Sequence, residues 1–329
     1  MRERYNTKSR RSIIIYKQCS YSVYKHSMSN QSNAPASNNI LYFIYMFFRM
    51  WCAPFEICFF RLFTNRYGRG SSEKPMSITD SMYTRQRDIL GIHTKIPEYS
   101  SESDIVLVNH RGVVDAIVCQ QGTIGICRGL FSLAMGPLYL FARYDKQIIT
   151  IQRGKTNRIA LYNNICAARK INNLPIVLYP EGTRCRHTEL PHDVSKIDLK
   201  PGSLKMIYEN NMKFQIHIHR DIEYALDERT YRIQHNVKLT THTSNVYDPK
   251  LWKMDGKDFD EFYKDVKELW RDAWYCVYDD TTNGIANDTT NGNVSIIPKN
   301  GLFVCVCAII VIPSIQILIG LICKRFVYY

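Results

Sequence analysis

Hydrophobic and polar positions divide the chain into stretches of different period. Residues 301–323, GLFVCVCAIIVIPSIQILIGLIC, form an uncharged run of 23 residues closed by Lys324 and Arg325. At a helical rise of about 1.5 Å per residue this run crosses a bilayer core. Ser314 and Gln316 alone do not supply the polar face of a helix in a soluble domain. Pro313 predicts a kink near its middle, which membranes tolerate. Residues 40–63, ILYFIYMFFRMWCAPFEICFFRLF, are equally rich in apolar side chains but carry Arg49, Pro54, Glu56 and Arg61. The expectation is two short apolar helices bent at Pro54 and lying in one leaflet, with Tyr, Trp and Arg at headgroup depth. A single tilted span is the alternative.

Between these stretches the period alternates. Short apolar runs at 104–108, 147–152, 175–179, 213–219 and 237–243 predict strands, and residues 159–170 and 202–210 have helical spacing. In 258–275 the apolar positions Phe259, Phe262, Val266, Leu269 and Ala273 recur every three or four residues, which predicts a helix with one buried face. Strands alternating with helices indicate an α/β fold. The organisation read from these patterns is a basic arm (1–39), a membrane-associated apolar segment (40–65), one catalytic-sized domain (66–278), a polar linker (279–300), a transmembrane helix (301–323) and a basic tail (324–329).

Charge and cysteine content add less. Lys and Arg number 43 against 30 Asp and Glu, a formal net charge of +13, which suits an anionic partner without choosing among nucleic acid, an anionic membrane and a phosphorylated substrate. Only Glu3 is acidic within residues 1–39, so the arm reads as a solvated tail, with a transit segment or a headgroup-binding patch as alternatives. The eleven cysteines show no C-x-x-C spacing and read as buried or membrane thiols. In the linker, Asp280-Thr281-Thr282-Asn283-Gly284 recurs eight residues later, and the sequons at Asn287 and Asn293 accept glycans only in a secretory lumen.

Two clusters carry chemistry. After the run Ile105-Val106-Leu107-Val108 come Asn109-His110-Arg111-Gly112-Val113-Val114-Asp115, which set a histidine and a carboxylate five residues apart at a strand end. The pair meets if the chain turns at Arg111-Gly112, and Asp115 then orients the imidazole while its other nitrogen takes a proton. A surface His and a helix N-terminal cap give the same pattern. The run Ile176-Val177-Leu178-Tyr179 likewise ends in Pro180-Glu181-Gly182-Thr183-Arg184-Cys185-Arg186. If the two strands run alike, both clusters share a crevice at the strand ends. No G-x-S-x-G elbow occurs. His187 and His192 lack a ligand set, and His217 and His219 read as a polar strand face, so no metal site and no cofactor are expected.

The ordered set Asn109-His110…Asp115, Arg153, Pro180-Glu181-Gly182-Thr183-Arg184 and Lys200-Pro201-Gly202 resembles the glycerophospholipid acyltransferase family, whose best-known members are 1-acyl-glycerol-3-phosphate acyltransferases. The likeness covers roughly residues 105–219. It implies one acyltransferase domain with a central mixed sheet flanked by helices, in which His110 is the general base and Asp115 its partner. Arg153, Glu181, Gly182, Thr183 and Arg184 would bind the acceptor, with Arg153 on its phosphate, although a surface salt bridge remains open for Arg153 and Arg186. The implied reaction transfers an acyl group from acyl-CoA, as co-substrate, to the free hydroxyl of a lysophospholipid, most simply 1-acyl-glycerol-3-phosphate giving phosphatidic acid. Partners are then the two substrates and membrane lipids, not nucleic acid. The alternatives are another lysophospholipid acceptor and a non-catalytic lipid-binding scaffold. The expected location is the endoplasmic reticulum or another internal membrane, with the domain facing the cytosol. Lys324 and Arg325 oppose that orientation for a tail-anchored chain. The family's last block carries prolines in an apolar strand, whereas Phe214-Gln215-Ile216-His217-Ile218-His219 has none and is more polar.

Overall fold

The computed structural model of the chain describes residues 40–63, 77–92, 97–128, 146–151, 157–185 and 189–279. The basic arm, most of the linker, the 301–323 run and the basic tail therefore lie outside the described residues. The elements are α1 (Ile40–Phe63), α2 (Ile78–Leu90), β1 (Ile105–Val108), α3 (Asp115–Cys119), β2 (Ile124–Arg128), β3 (Ile148–Ile151), α4 (Arg158–Asn172) and β4 (Ile176–Leu178). After them come α5 (Pro201–Glu209), β5 (Phe214–Arg220), α6 (Ile222–Ala225), β6 (Leu226–Asp227), β7 (Arg232–Ile233), β8 (Thr240–Thr243), α7 (Pro249–Met254) and α8 (Phe259–Tyr278).

Six strands form one sheet in the order β3-β2-β4-β1-β5-β8. The first five run parallel and β8 closes the edge antiparallel, so the architecture is α/β with a mixed sheet flanked by helices. Alternation along β1 sends Val106 and Val108 into a core shared with α1, α2 and α3, and Ile105 and Leu107 into a second core with α5 and α8. Helix α8 starts at a capping box between Asp258 and Glu261, and it buries Phe262, Val266, Trp270, Ala273 and Trp274 on the second face.

The β1–β4 junction is the topological switch. From β1 the chain leaves through α3, on the first face, toward β2; from β4 it leaves through α5, on the opposite face, toward β5. Adjacent parallel strands whose connections depart to opposite faces open a crevice at their carboxyl ends. Both chemistry-bearing clusters follow these two strands, and Ile105 and Leu107 pair with Ile176 and Leu178 in parallel register.

Three expectations are corrected. Residues 40–63 make one continuous helix rather than two bent at Pro54. Proline at 54 has no N–H for the Met50 carbonyl four residues back, and the buried Gln86 side-chain amide of α2 donates to that carbonyl instead, at 3.1 Å. The vacated bond is thus filled from a neighbouring helix. Secondly, β2 was not expected as a strand. Thirdly, the 237–243 strand is shorter, beginning at Thr240. No described helix is long and apolar enough to cross a membrane.

Candidate active site

Asn109 follows β1 and ties it to β5: its side chain donates to the His219 carbonyl (2.8 Å) and accepts from the His219 N–H (2.9 Å). The backbone then turns so that the amides of Arg111 (2.7 Å) and Gly112 (2.9 Å) both point at the Asp115 carboxylate, at the first residue of α3. His110 Nδ1 lies 2.7 Å from Asp115 Oδ2. The turn thus brings together two residues that a regular helix would hold apart. His110 is partly exposed and Asp115 is buried. Among the described residues, His110 Nε2 has no hydrogen-bond partner, so it is the nitrogen available to a reactant. Burial acts to raise the Asp115 pKa, but hydrogen bonds from His110 and His219 outweigh it and hold it at about 2.

The second cluster meets the first from β4. The Tyr179 ring stacks on His110 with centroids 4.5 Å apart. Glu181, buried, accepts the His110 backbone N–H through Oε2 at 2.8 Å, and the Cys185 N–H donates to the His110 carbonyl at 2.7 Å. His110 is therefore held by ring, backbone amide and backbone carbonyl. Burial pushes the Glu181 carboxyl up to about 7, against the His110 amide and the nearby Arg111 charge, which favour its ionised form. Gly182 adopts φ +70° with Lys200 packed where a Cβ would stand, so the Lys200-Pro201-Gly202 block sits against the Glu181 loop. The Lys200 N–H donates to the Pro180 carbonyl at 2.7 Å.

Of the residues expected to bind an acceptor, Glu181 and Gly182 lie beside the dyad. Thr183 is exposed, and the Arg184 guanidinium pairs with Glu228. Arg153 lies outside the described residues, as does Arg186. Arg111 was not singled out from sequence: its fully buried side chain forms an ion pair with Glu223, donates to the Cys185 carbonyl (2.9 Å) and lies over the Tyr278 ring at 5.5 Å.

His217 and His219 do not form a solvated polar face. Both are fully buried on the α3 side of β5. His219 Nε2 lies 3.3 Å from Asp115 Oδ1, making a second imidazole partner for that carboxylate from 104 residues away. Burial acts to neutralise the His219 ring, but the Cys119 sulfur and Asp115 outweigh it and push its pKa up to about 10. No sequence signal marks this residue beyond its alternation with Ile218.

No protein-family profile matches the chain, and no curated protein does. Among solved structures, the crystal structure of the 1-acyl-sn-glycerophosphate (LPA) acyltransferase PlsC from Thermotoga maritima superposes with a TM-score of 0.52 at 15% identity, covering 76% of this chain and 98% of that one. The fold is that of PlsC. The match spans nearly the whole of that protein, and the likeness is one of fold.

Proposed function

We propose that the chain is an O-acyltransferase that moves a fatty acyl group from acyl-CoA to the free hydroxyl of a lysophospholipid. The observation that carries the reading is the His110–Asp115 pair at the β1–β4 crevice, backed by Glu181 on the His110 amide, within a PlsC-like fold. With Nδ1–H donated to the Asp115 carboxylate, His110 Nε2 presents a lone pair to the acceptor hydroxyl. The hydroxyl proton passes to Nε2 as its oxygen adds to the thioester carbonyl. Collapse of the tetrahedral intermediate expels the coenzyme A thiolate, which takes the proton back from His110. Asp115 stabilises the transient imidazolium and, with a pKa near 2, keeps its own charge throughout. No acyl-enzyme is formed.

For the acceptor we propose 1-acyl-glycerol-3-phosphate. Arg153 supplies a planar fork of donors for its phosphate, and Gly182, Thr183 and Arg184 border the headgroup, with Arg184 exchanging Glu228 for the lipid. Glu181 acts through the His110 backbone, as a positioning residue. Membrane attachment follows from two segments: residues 301–323 as the span, and the outward side of α1, where Leu41, Ile44 and Phe47 remain exposed while Phe43, Met46 and Met50 pack inward. A cytosolic-facing domain on an internal membrane gives access to acyl-CoA.

The test is acyl transfer from oleoyl-CoA to a panel of lysophospholipids, lysophosphatidate included, by membranes carrying wild type or His110→Ala. Turnover by wild type and its loss in His110→Ala at equal expression support the reading and name the acceptor. A folded wild type that transfers to no acceptor, or an active His110→Ala, refutes the mechanism and leaves a lipid-binding scaffold.

A further inference from the structure

Behind the dyad lies a buried cluster that the acyl-transfer chemistry does not use. Cys119 is the last residue of α3, and His217 and His219 stand two apart on the facing side of β5; all three are fully buried. One sulfur or ring nitrogen from each lies within 4.8 Å of the others. Their remaining hydrogen bonds point outward from this cluster. His217 Nδ1 meets Thr243 Oγ1 at 2.8 Å and leaves Nε2 buried without a partner. His219 Nε2 meets Asp115 Oδ1 at 3.3 Å and leaves Nδ1 facing Cys119 Sγ at 3.5 Å.

Three features favour a cation here over a plain polar core. A buried ring nitrogen without a partner is costly to keep, and a metal bond removes that cost. With Zn–S near 2.3 Å and Zn–N near 2.0–2.1 Å, the edge of a tetrahedral site between sulfur and nitrogen is about 3.5 Å, the separation found between Cys119 and His219. A metal-bound histidine that donates its other N–H to a carboxylate is the usual outer arrangement, and Asp115 stands at that position. The soft thiolate selects zinc or copper(I) over hard cations. The charges decide between them, since Zn²⁺, one thiolate and the Asp115 carboxylate sum to zero in a buried site.

We propose that Cys119, His217 and His219 form a zinc site that fastens α3 to β5, with Asp115 as the carboxylate orienting the His219 ligand. On binding, the Cys119 S–H and the His219 Nδ1–H give up their protons to solvent and the zinc takes both lone pairs. His219 keeps Nε2–H on Asp115, so Asp115 retains its partner. Three protein donors leave a fourth position on the metal. The proposal does not depend on the acyltransferase reading.

The experiment uses the full chain in detergent under reducing conditions. Zinc is measured by mass spectrometry after supplementation and exhaustive buffer exchange, and cobalt(II) is then substituted. The expected result is about one zinc per chain, and a cobalt form with a thiolate charge-transfer band in the near ultraviolet and tetrahedral visible bands. His110→Ala keeps both signals; Cys119→Ser loses the charge-transfer band and His217→Gln lowers zinc retention at least tenfold. Because the decisive measurement is on the wild type, a variant that does not fold leaves it standing. Wild type that is folded and reduced yet retains under a tenth of an equivalent, or that binds cobalt without a thiolate band, overturns the proposal. So does unchanged metal content in folded Cys119→Ser.

Discussion

Replacing Glu181 by glutamine isolates the cost of burying a carboxyl next to the dyad. The side chain is buried, and its carboxyl moves from 4.5 in the unfolded chain to about 7 in the fold, chiefly through burial. Below pH 4.5 both states hold the proton and the residue is neutral in effect. As pH rises from 4.5 to 7 the unfolded chain releases its proton while the fold keeps it, so the wild type loses stability over that window and reaches its full loss above 7. A rise of that size corresponds to about 3 kcal/mol, most of which falls between pH 5 and 8. Glutamine accepts the His110 N–H in the same way but does not titrate. The difference in unfolding free energy between Glu181→Gln and wild type should therefore grow by roughly 2–3 kcal/mol from pH 5 to pH 8. For a domain of this size that is a relative rise of roughly 5–10 °C in melting temperature. Tryptophan fluorescence during denaturant titration at three pH values reads it directly, and comparing the two proteins cancels the titrating groups remote from Glu181. Parallel pH profiles would refute the assignment of a raised carboxyl to Glu181.

Other perturbations follow from the same geometry. Gln86→Leu orphans the Met50 carbonyl and should cost about 1–2 kcal/mol; in a Pro54→Ala background, where residue 54 regains its N–H, the cost should nearly vanish, so additive effects in a double-mutant cycle would reject the borrowed bond. Arg111→Met strands the Glu223 carboxylate in a buried site and should destabilise by about 3–5 kcal/mol, whereas Arg111→Met with Glu223→Leu should recover most of it in urea melts. On the proposed acyl-transfer mechanism, Asp115→Asn removes the charge that supports imidazolium at His110, and kcat should fall by about 10²–10⁴ with KM little changed. A fall confined to KM would assign Asp115 to binding.

Much of the candidate site was legible because it follows uninterrupted aliphatic runs. Ile105-Val106-Leu107-Val108 and Ile176-Val177-Leu178 read as buried strands, and the polar residues after each had to lie at strand ends. What sequence could not supply was information held between distant segments. Strand β2 contains Gly125, and the Gln120 side chain lies where its Cβ would be, a contact that no local pattern announces. Pro54 reads as a bend because the compensating donor, Gln86, is 32 residues away. His217 and His219 read as a polar strand face because they alternate with isoleucines; the packing of distant segments, Tyr99 on the His217 ring among them, buries both.

Strand β5 also governs how the chain can fold wrongly. Phe214, Ile216 and Ile218 enter one core, and Gln215, His217 and His219 enter the other. A slip of one residue against β1 would drive two imidazoles among Phe262, Trp270 and Trp274 and leave Asp115 facing isoleucine. A slip of two would preserve the faces but forfeit the exchange between Asn109 and His219. Strand β5 therefore guards its own placement: a one-residue slip cannot be completed without unpaired polar groups in an apolar interior, so a chain in which β5 has settled is one in which the crevice beside His110 and Asp115 is already drawn to its final dimensions.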